Sequence, residues 1–255
     1  RHCFPAQNVD VRKSWPVDSI SYGPKGVTIR SRHGVVEEVD RVIVTVPVTV
    51  LQRGDIAFQP PLSEEKRATI DTIRMGNAIK ILLKVSRKFW PDDFYDVVCS
   101  DSFMPEMWLT PAADALAAAQ GGDQEFVFVG FVTGERANRV GSLPPADAAR
   151  LMALQLDMIF GSVADPHPAT DSVVAYYVHN WEKQEFFHGA YSYPSLGAKK
   201  GTRAALAAPV KDRVFFAGEA TSEAVNPCMH GAIETGAAAA EAVLSSLAPV
   251  PLSKL

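Results

Sequence analysis

The stretch from Val214 to Leu244 constrains the fold more than any other part of the chain. It reads "VFFAGEATSEAVNPCMHGAIETGAAAAEAVL": a short apolar run, a Gly-Glu pair, a loop, and a segment rich in Gly and Ala. The apolar run is typical of a short buried strand, and Asn226 followed by Pro227 predicts a helix start. A helix with so little side-chain bulk lets another backbone or a planar ring approach closely, although helix–sheet packing alone also explains the small residues. The sequence here predicts a strand–loop–helix unit of an α/β fold, with Glu219 as an acceptor for hydroxyl groups.

The overall composition excludes several classes of protein. The 255 residues are 47% hydrophobic and 21% charged, which is typical of a globular chain. A net charge of −4 offers no basic surface for nucleic acid or anionic lipid. No apolar run approaches the ~20 residues that span a membrane. The 3 cysteines and 6 histidines lack disulfide-framework and metal-ligand spacing, so no metal site is predicted.

Alternating and apolar segments predict how the chain is organised. The runs "VDSISY", "GVTIRS" and "RVIVTV" within residues 9–50 predict strands, the last of them buried on both faces. Ser63 predicts the N-cap of a helix through about Arg74, and "NAIKILLKVSRKFW" then resumes as a strand. The run "ADAARLMALQLDMIF" (146–160) predicts an amphipathic helix that ends at Gly161. We expect the final strand–helix unit to join the sheet begun by residues 9–50, with the middle of the chain forming a second domain.

Four segments, in the expected order, resemble the FAD-dependent amine oxidase family, which includes polyamine and monoamine oxidases and flavin-dependent histone demethylases. They are "VDRVIVTVPVTVLQ", "IRMGNAIKILLKVSRKFW", "WEKQEFFHGAYSY" and the stretch from Val214 to Leu244. The resemblance spans residues 9 to 246 and implies a mixed α/β fold. The domains it implies are a partial FAD-binding domain (1–52 and 206–248), a substrate-binding domain with a mixed sheet (53–205), and an exposed tail (249–255).

The resemblance implies FAD as the cofactor. Glu219 matches a residue that hydrogen-bonds a ribose or ribitol hydroxyl, and Val17 matches one whose backbone contacts the adenine. The backbone of Met229, at a helix start, would face the N1/O2 edge of the flavin, where the helix dipole stabilises the anionic reduced form. The cofactor-binding residues predicted on this ground are Val17, Gly218, Glu219, Met229, Gly231 and Ala232.

The same resemblance implies two catalytic residues. Lys80 matches the lysine that holds a water near flavin N5, and Tyr191 matches the aromatic residue that flanks the substrate amine. Without the family, strand alternation places Lys80 on one face with Leu82 and Lys84, which favours a solvent-facing lysine, and Tyr191 is a half-buried strand residue. The residues predicted to line the substrate pocket are Trp181, Gly189 and Cys228.

The chain departs from the family pattern in three places. Gln184-Glu185 stands where the family has an acid–proline pair after Trp181, and Cys228 stands where some members have a second cage aromatic, which predicts a wider pocket. No GxGxxG motif is present, so the pyrophosphate-binding N-terminal unit is missing from this sequence. The sequence therefore resembles the C-terminal half of an oxidase, and a missing N-terminal half or a second copy is an expected partner.

The implied reaction is the oxidation of a polyamine or other secondary amine with oxygen as acceptor. It yields an imine, then an aldehyde, and hydrogen peroxide. Two alternatives remain open at the level of sequence. One is a flavin-free remnant that serves as a binding module, and the other is a different FAD oxidase or desaturase, since carotenoid and porphyrinogen oxidases share the C-terminal signature.

The sequence ends in Ser253-Lys254-Leu255, which matches the address read by the peroxisomal import receptor at a free carboxyl end. If Leu255 is the natural terminus, this motif predicts a peroxisomal location. Such a location suits an enzyme that produces peroxide and argues against a nuclear demethylase.

Overall fold

A computed structural model describes residues 9–111 and 126–247 of the chain. The predicted exposed tail and import signal lie outside these residues. The strands are β1 (Val17–Gly23), β2 (Gly26–Ser31), β3 (Val36–Val39), β4 (Val42–Val44), β5 (Ala57–Gln59), β6 (Ile73–Gly76), β7 (Ala78–Val85), β8 (Asp96–Val98), β9 (Glu106–Pro111), β10 (Phe126–Thr133), β11 (Val173–Asn180), β12 (Tyr191–Pro194) and β13 (Val214–Phe216). The helices are α1 (Val48–Arg53), α2 (Glu64–Thr72), α3 (Gly134–Gly141), α4 (Pro145–Phe160), α5 (Thr202–Ala207) and α6 (Met229–Ser246).

The chain divides into two compact units, Arg1–Met75 with Tyr191–Leu255, and Gly76–Ala190. The sequence predicts domain borders at 52/53 and 205/206, both of which fall inside the first unit. The borders differ because α2 packs against α1 and α5, and because β12 pairs with β6. These contacts keep residues 53–75 and 191–205 in the first unit. Which unit binds FAD and which binds substrate stays a prediction.

The first unit contains a mixed sheet in the order β3-β2-β1-β5, in which β1 pairs antiparallel with β2 and parallel with β5. As predicted, the last strand of the chain returns to the first part of it: β13 pairs parallel with β4, Val214 opposite Val42. All three residues of β13 are buried, whereas two of the three in β4 are only half-buried. The prediction that β4 is buried on both faces is therefore only partly correct among the described residues.

The start of helix α2 is determined by local sequence, and its end is determined by strand pairing with a distant part of the chain. Ser63 caps the helix as predicted, because its Oγ accepts a hydrogen bond from Lys66 N at 3.2 Å. The predicted end near Arg74 is wrong, since the helix stops at Thr72 and the chain becomes β6. The pairing of β6 with β12, more than a hundred residues away in sequence, extends this segment.

The second unit contains a five-stranded sheet in the order β11-β7-β10-β9-β8, and every described pair in it is antiparallel. The mixed pairing predicted for the middle of the chain is found instead in the first unit. One face of the sheet packs against α4, which ends before Gly161 as predicted. Side chains that are 0% exposed form this core: Ile79, Ile81, Leu83, Phe128, Met152 and Leu156. Within the described ranges, no helix is long and apolar enough to cross a membrane.

Candidate functional site

Glu219 begins a short 3-10 turn, separated by two residues from the end of the buried strand β13. Gly218, before it, has φ of +133°, a backbone conformation that suits glycine. The carboxylate of Glu219 accepts two hydrogen bonds from Ser192, one from the backbone N–H at 3.2 Å and one from Oγ at 2.7 Å. Each carboxylate oxygen has a second lone pair, so both oxygens keep an acceptor position for a ligand hydroxyl. The geometry suits the role that the sequence predicts for Glu219.

A buried arginine completes this cluster. Arg203 is 8% exposed, and its Nη1 donates to Ser192 Oγ at 2.9 Å and to the Ala220 carbonyl at 2.8 Å. Its Nη2 is buried and has no hydrogen-bond partner in the part of the chain that the structure describes. Burial lowers the pKa of Arg203, and the Glu219 carboxylate partly offsets that effect.

Sequence reasoning missed Ser192 and Arg203. Ser192 adjoins Tyr191 in the quoted loop segment, so its position gave a signal. Arg203 follows an ordinary polar stretch, "GAKKGT", and gave none.

Helix α6 begins at Met229, not at Pro227. Its N-cap residue is Cys228, and none of the side chains in the described ranges caps its first turn. The predicted cap, Asn226, is wrong because the Asn226 side-chain amide donates to the Ser222 carbonyl at 3.1 Å, within the preceding loop. Met229 is 81% exposed. The N-terminus of an 18-residue helix therefore presents backbone N–H groups and a partial positive charge.

The small residues of α6 pack in part against the chain itself. A Cβ at Gly231 would lie 1.9 Å from the Val225 carbonyl oxygen, so the loop before α6 requires glycine there. Thr235 Oγ1 accepts a hydrogen bond from Gly218 N at 3.1 Å, which ties the end of β13 to α6. The structure thus brings Gly218, Glu219 and the first turns of α6 into one region of the first unit, with Ala232 half-buried in the helix. Val17 is half-buried at the start of β1, in a different sheet.

Lys80 lies on β7, the strand between β10 and β11 in the five-stranded sheet. Strand alternation is confirmed: Ile79 and Ile81 face the core, while Lys80 is half-buried on the other face. Its Nζ lies 5.7 Å from the centre of the Trp108 ring and 5.8 Å from that of Phe131. Both contacts are of the cation–π kind. Lys80 is therefore only partly exposed to solvent, whereas the alternative interpretation of the sequence was a lysine that faces solvent.

His179 is directly opposite Lys80 in the pairing of β11 with β7. Its Nδ1 lies 2.9 Å from Tyr177 Oη, and its ring meets Trp181 edge-on at 4.3 Å between centres. The His179 Nε2 atom is buried and has no partner among the described residues. The sequence did not single out His179; its place two residues before Trp181, on the strand beside β7, was the available signal.

The loop after β11 is closed by its own hydrogen bonds. Asn180 Oδ1 caps the 3-10 turn that begins at Trp181, and Gly189 N donates to the Trp181 carbonyl at 3.0 Å. Gln184 replaces the family's usual acid, and its carbonyl accepts bonds from the backbone N–H groups of two later loop residues. Phe186 and His188 adopt positive φ values of 66° and 52°. Such backbone strain is uncommon for bulky residues and clusters at functional sites.

The remaining predicted residues fall in both units. Trp181 and Gly189 lie in the second unit with Lys80, whereas Tyr191 and Cys228 lie in the first with Glu219. Tyr191 is half-buried at the start of β12. Across residues 9–111 and 126–247, no group of His, Cys, Asp and Glu side chains is placed to hold a metal ion.

Solved structures of two amine oxidases share this fold. Wild-type putrescine oxidase bound to putrescine superposes with a TM-score of 0.76 at 21% identity, over 91% of this chain and 48% of that one. Cyclohexylamine oxidase from Brevibacterium oxydans IH-35A gives a TM-score of 0.74 at 23% identity over the same shares of the two chains. The mixed α/β fold is that of the FAD-dependent amine oxidases, as predicted.

The family model for flavin containing amine oxidoreductases matches residues 5–244, and the chain belongs to this family. The family confirms the predicted cofactor, FAD. Polyamine oxidase 2 of Arabidopsis thaliana is 32% identical over 92% of this chain and 45% of its own length. Lysine-specific histone demethylase 1B of Mus musculus is 28% identical over 91% of this chain and 27% of its own. The chain therefore spans less than half the length of these curated relatives.

Proposed function

We propose that this chain carries the flavin-facing and amine-facing residues of an FAD-dependent oxidase of a polyamine or another secondary amine. The observation that carries the proposal is the Glu219 carboxylate, held by Ser192 and connected through Gly218 to the uncapped helix α6. The similarity to a polyamine oxidase supports the substrate class. Because the chain spans 45% of that relative, the activity belongs to the proposal for the whole protein.

The residues present fit a flavin. Glu219 offers acceptors to sugar-alcohol hydroxyls, and the N-terminus of α6 offers backbone N–H groups to an electron-rich edge. FAD held by Glu219 and the N-terminus of α6 would supply the acceptor for a hydride from the carbon next to nitrogen, with oxygen as the final acceptor that is reduced to hydrogen peroxide. The positive end of the α6 dipole favours negative charge at the position in front of it.

Lys80 and Tyr191 would serve the amine side of the reaction. Lys80 would hold a water by donating from Nζ, while the rings of Trp108 and Phe131 limit where that ammonium can lie. The Tyr191 ring would position the substrate amine, which must be neutral to lose hydride, so the ring orients the amine more than it binds charge. Water then hydrolyses the imine to an aldehyde.

A second candidate substrate is a methylated lysine side chain, because the demethylase of Mus musculus matches nearly the whole chain. Both substrates lose hydride from a carbon bonded to nitrogen, so they share the chemistry and differ in size. A flavin-free binding module is the non-catalytic alternative.

The visible absorption spectrum of the purified chain, with excess FAD and then after gel filtration, tests the proposal. We expect oxidised-flavin bands to remain with the protein and to bleach anaerobically with spermidine or spermine, which contain secondary amines. Bleaching by a methylated histone peptide and not by polyamines would assign the second substrate. Failure of the chain to retain flavin would contradict the proposal for this chain and favour the binding module.

A further inference from the structure

The hydrogen-bond inventory of the Glu219 cluster fixes the direction of each bond. A guanidinium can only donate, so Ser192 Oγ must accept from Arg203 Nη1 at 2.9 Å. The single proton of the Ser192 hydroxyl is then directed to Glu219, whose Oε2 lies 2.7 Å away. The result is a one-way chain of donors from Arg203 through Ser192 to Glu219.

We propose that Arg203 is a positioning residue for the flavin, acting through Ser192 to hold the Glu219 carboxylate in a fixed orientation. The inference rests on the proposed function and adds a residue to it. Arg203 Nη1 also donates to the backbone carbonyl of Glu219 at 3.4 Å, whereas its link to the Glu219 carboxylate runs through Ser192. It sets which way the Ser192 proton points, and so keeps one lone pair on each Glu219 oxygen available to vicinal hydroxyls of a sugar alcohol.

The burial of Arg203 indicates that it does more than fill space in the core. An arginine that is 8% exposed loses most of its hydration, a large penalty that an apolar side chain of similar size avoids. The Glu219 carboxylate offsets part of that penalty, and removing Glu219 would leave the buried Arg203 charge without that compensation. Arg203 Nη1 also bonds the Ala220 carbonyl at 2.8 Å, which holds the turn that carries Glu219.

A set of four variants tests the inference by FAD binding, measured as quenching of flavin fluorescence. Arg203→Met and Ser192→Ala should each weaken FAD binding about tenfold, the effect of losing one charge-assisted hydrogen bond. The loss of binding in the double variant should be smaller than the product of the two single losses, because Arg203 and Ser192 act along one chain of hydrogen bonds. Arg213→Met, which removes an arginine bonded to the Asp40 and Pro24 carbonyls on the surface, is the matched control and should leave binding unchanged.

A second readout needs no flavin. The Ser192 backbone N–H donates to Glu219 Oε1, so its amide proton resonance reports the position of the carboxylate. Arg203→Met should move this resonance and speed its exchange with solvent, whereas Arg213→Met should not.

These two readouts distinguish the possible failures. If wild type binds FAD and Arg203→Met binds equally well, or if the two single effects multiply in the double variant, the inference is overturned and the proposed function stands. If wild type binds no FAD, the proposed function fails for this chain, and the Ser192 resonance decides the inference alone. If Arg203→Met does not fold, Arg203→Lys replaces it in both experiments. Lysine keeps the positive charge but loses the planar guanidinium whose Nη1 donates to both Ser192 Oγ and the Ala220 carbonyl.

Discussion

At the scale of single residues, the face of the sheet on which Lys80 lies determines the surroundings of its ammonium group. Its neighbours in sequence fill the core, while its own Nζ lies near the rings of Trp108 and Phe131. Aromatic faces attract an ammonium and exclude water from two sides, so the charge stays on a defined part of the half-buried surface. A free surface lysine would sample many rotamers and could not place a water repeatedly at one point.

Lys80→Met should slow the reaction of the FAD-loaded protein while leaving its fold intact. We expect the rate of anaerobic bleaching by a polyamine, or of flavin reoxidation by oxygen, to fall by at least about tenfold, as when one positioned donor is lost. Stopped-flow absorbance measures both rates. Lys84→Met is the matched control, because Lys84 lies on the same strand and the same face. Equal rates in the two variants would remove Lys80 from the site.

The site could be predicted from sequence only where a residue carries a local signal. Glu219 closely follows an apolar run, which is such a signal. Lys80 was predicted only because its segment resembles the family, since strand alternation alone favoured a solvent-facing lysine. Arg203 was missed because its partners, Ser192 and Ala220, are supplied by β12 and by the turn after β13. Those contacts depend on tertiary packing, which no local pattern reports.

At the scale of elements, α6 is an 18-residue helix with few buried residues of its own. The Val225 carbonyl packs so closely against Gly231 that the first turn requires glycine there. Further along, Thr235 Oγ1 accepts a hydrogen bond from the Gly218 N–H. The start of α6 was predicted two residues too early because Asn226 and Pro227 are both favoured at helix starts. In the structure, the Asn226 side-chain amide instead donates a hydrogen bond to the Ser222 carbonyl in the preceding loop.

Two glycines of α6 should respond in opposite ways to alanine. Gly231→Ala places a methyl group against backbone and should destabilise the protein by about 1–3 kcal/mol or more. Gly236→Ala meets nothing within 4 Å and should stabilise it by about 0.5–1 kcal/mol, since alanine favours a helix interior. Urea denaturation of both variants measures the difference. A neutral Gly231→Ala would mean that the loop before α6 yields at little cost.

The buried lysine of α2 makes stability depend on pH. Lys66 is 6% exposed, and its Nζ donates to the carbonyls of Ala205, Leu206 and Ala208 at the end of α5. Burial lowers the pKa of Lys66 to about 8, from an ordinary value of 10.5. Between these values the folded state has lost a proton that the unfolded state still binds, so this group makes the free energy of unfolding increase as the pH rises.

The difference between wild type and Lys66→Met isolates that contribution from all other titrating groups. We expect the melting temperature of wild type, relative to the variant, to rise by a few degrees from pH 7.5 to about pH 10. Below the folded-state pKa of about 8 the difference should level off, because both states are then protonated. A difference that stays constant over the whole range would show that Lys66 titrates alike in both states.

At the scale of the whole molecule, the fold could be predicted where periodicity is long and consistent. The helix at 145–160 matches its pattern closely, and the return of β13 to β4 follows from two apolar runs. The strand predicted over 77–90 begins as expected but ends at Val85. The unit borders at 75/76 and 190/191 were missed because the pairing of β6 with β12 depends on contacts far apart in sequence.

The carboxyl-terminal tripeptide predicts where in the cell the protein is located. We propose that Ser253-Lys254-Leu255 directs the protein to peroxisomes when Leu255 is the natural terminus, since the import receptor reads this signal at a free carboxyl end. A fluorescent protein carrying residues 249–255 at its C-terminus should then colocalise with a peroxisomal marker. The same fusion with two residues added after Leu255 is the control and should stay diffuse. Diffuse fluorescence of both fusions would contradict a peroxisomal address in this segment, whatever the flavin chemistry of the rest of the chain.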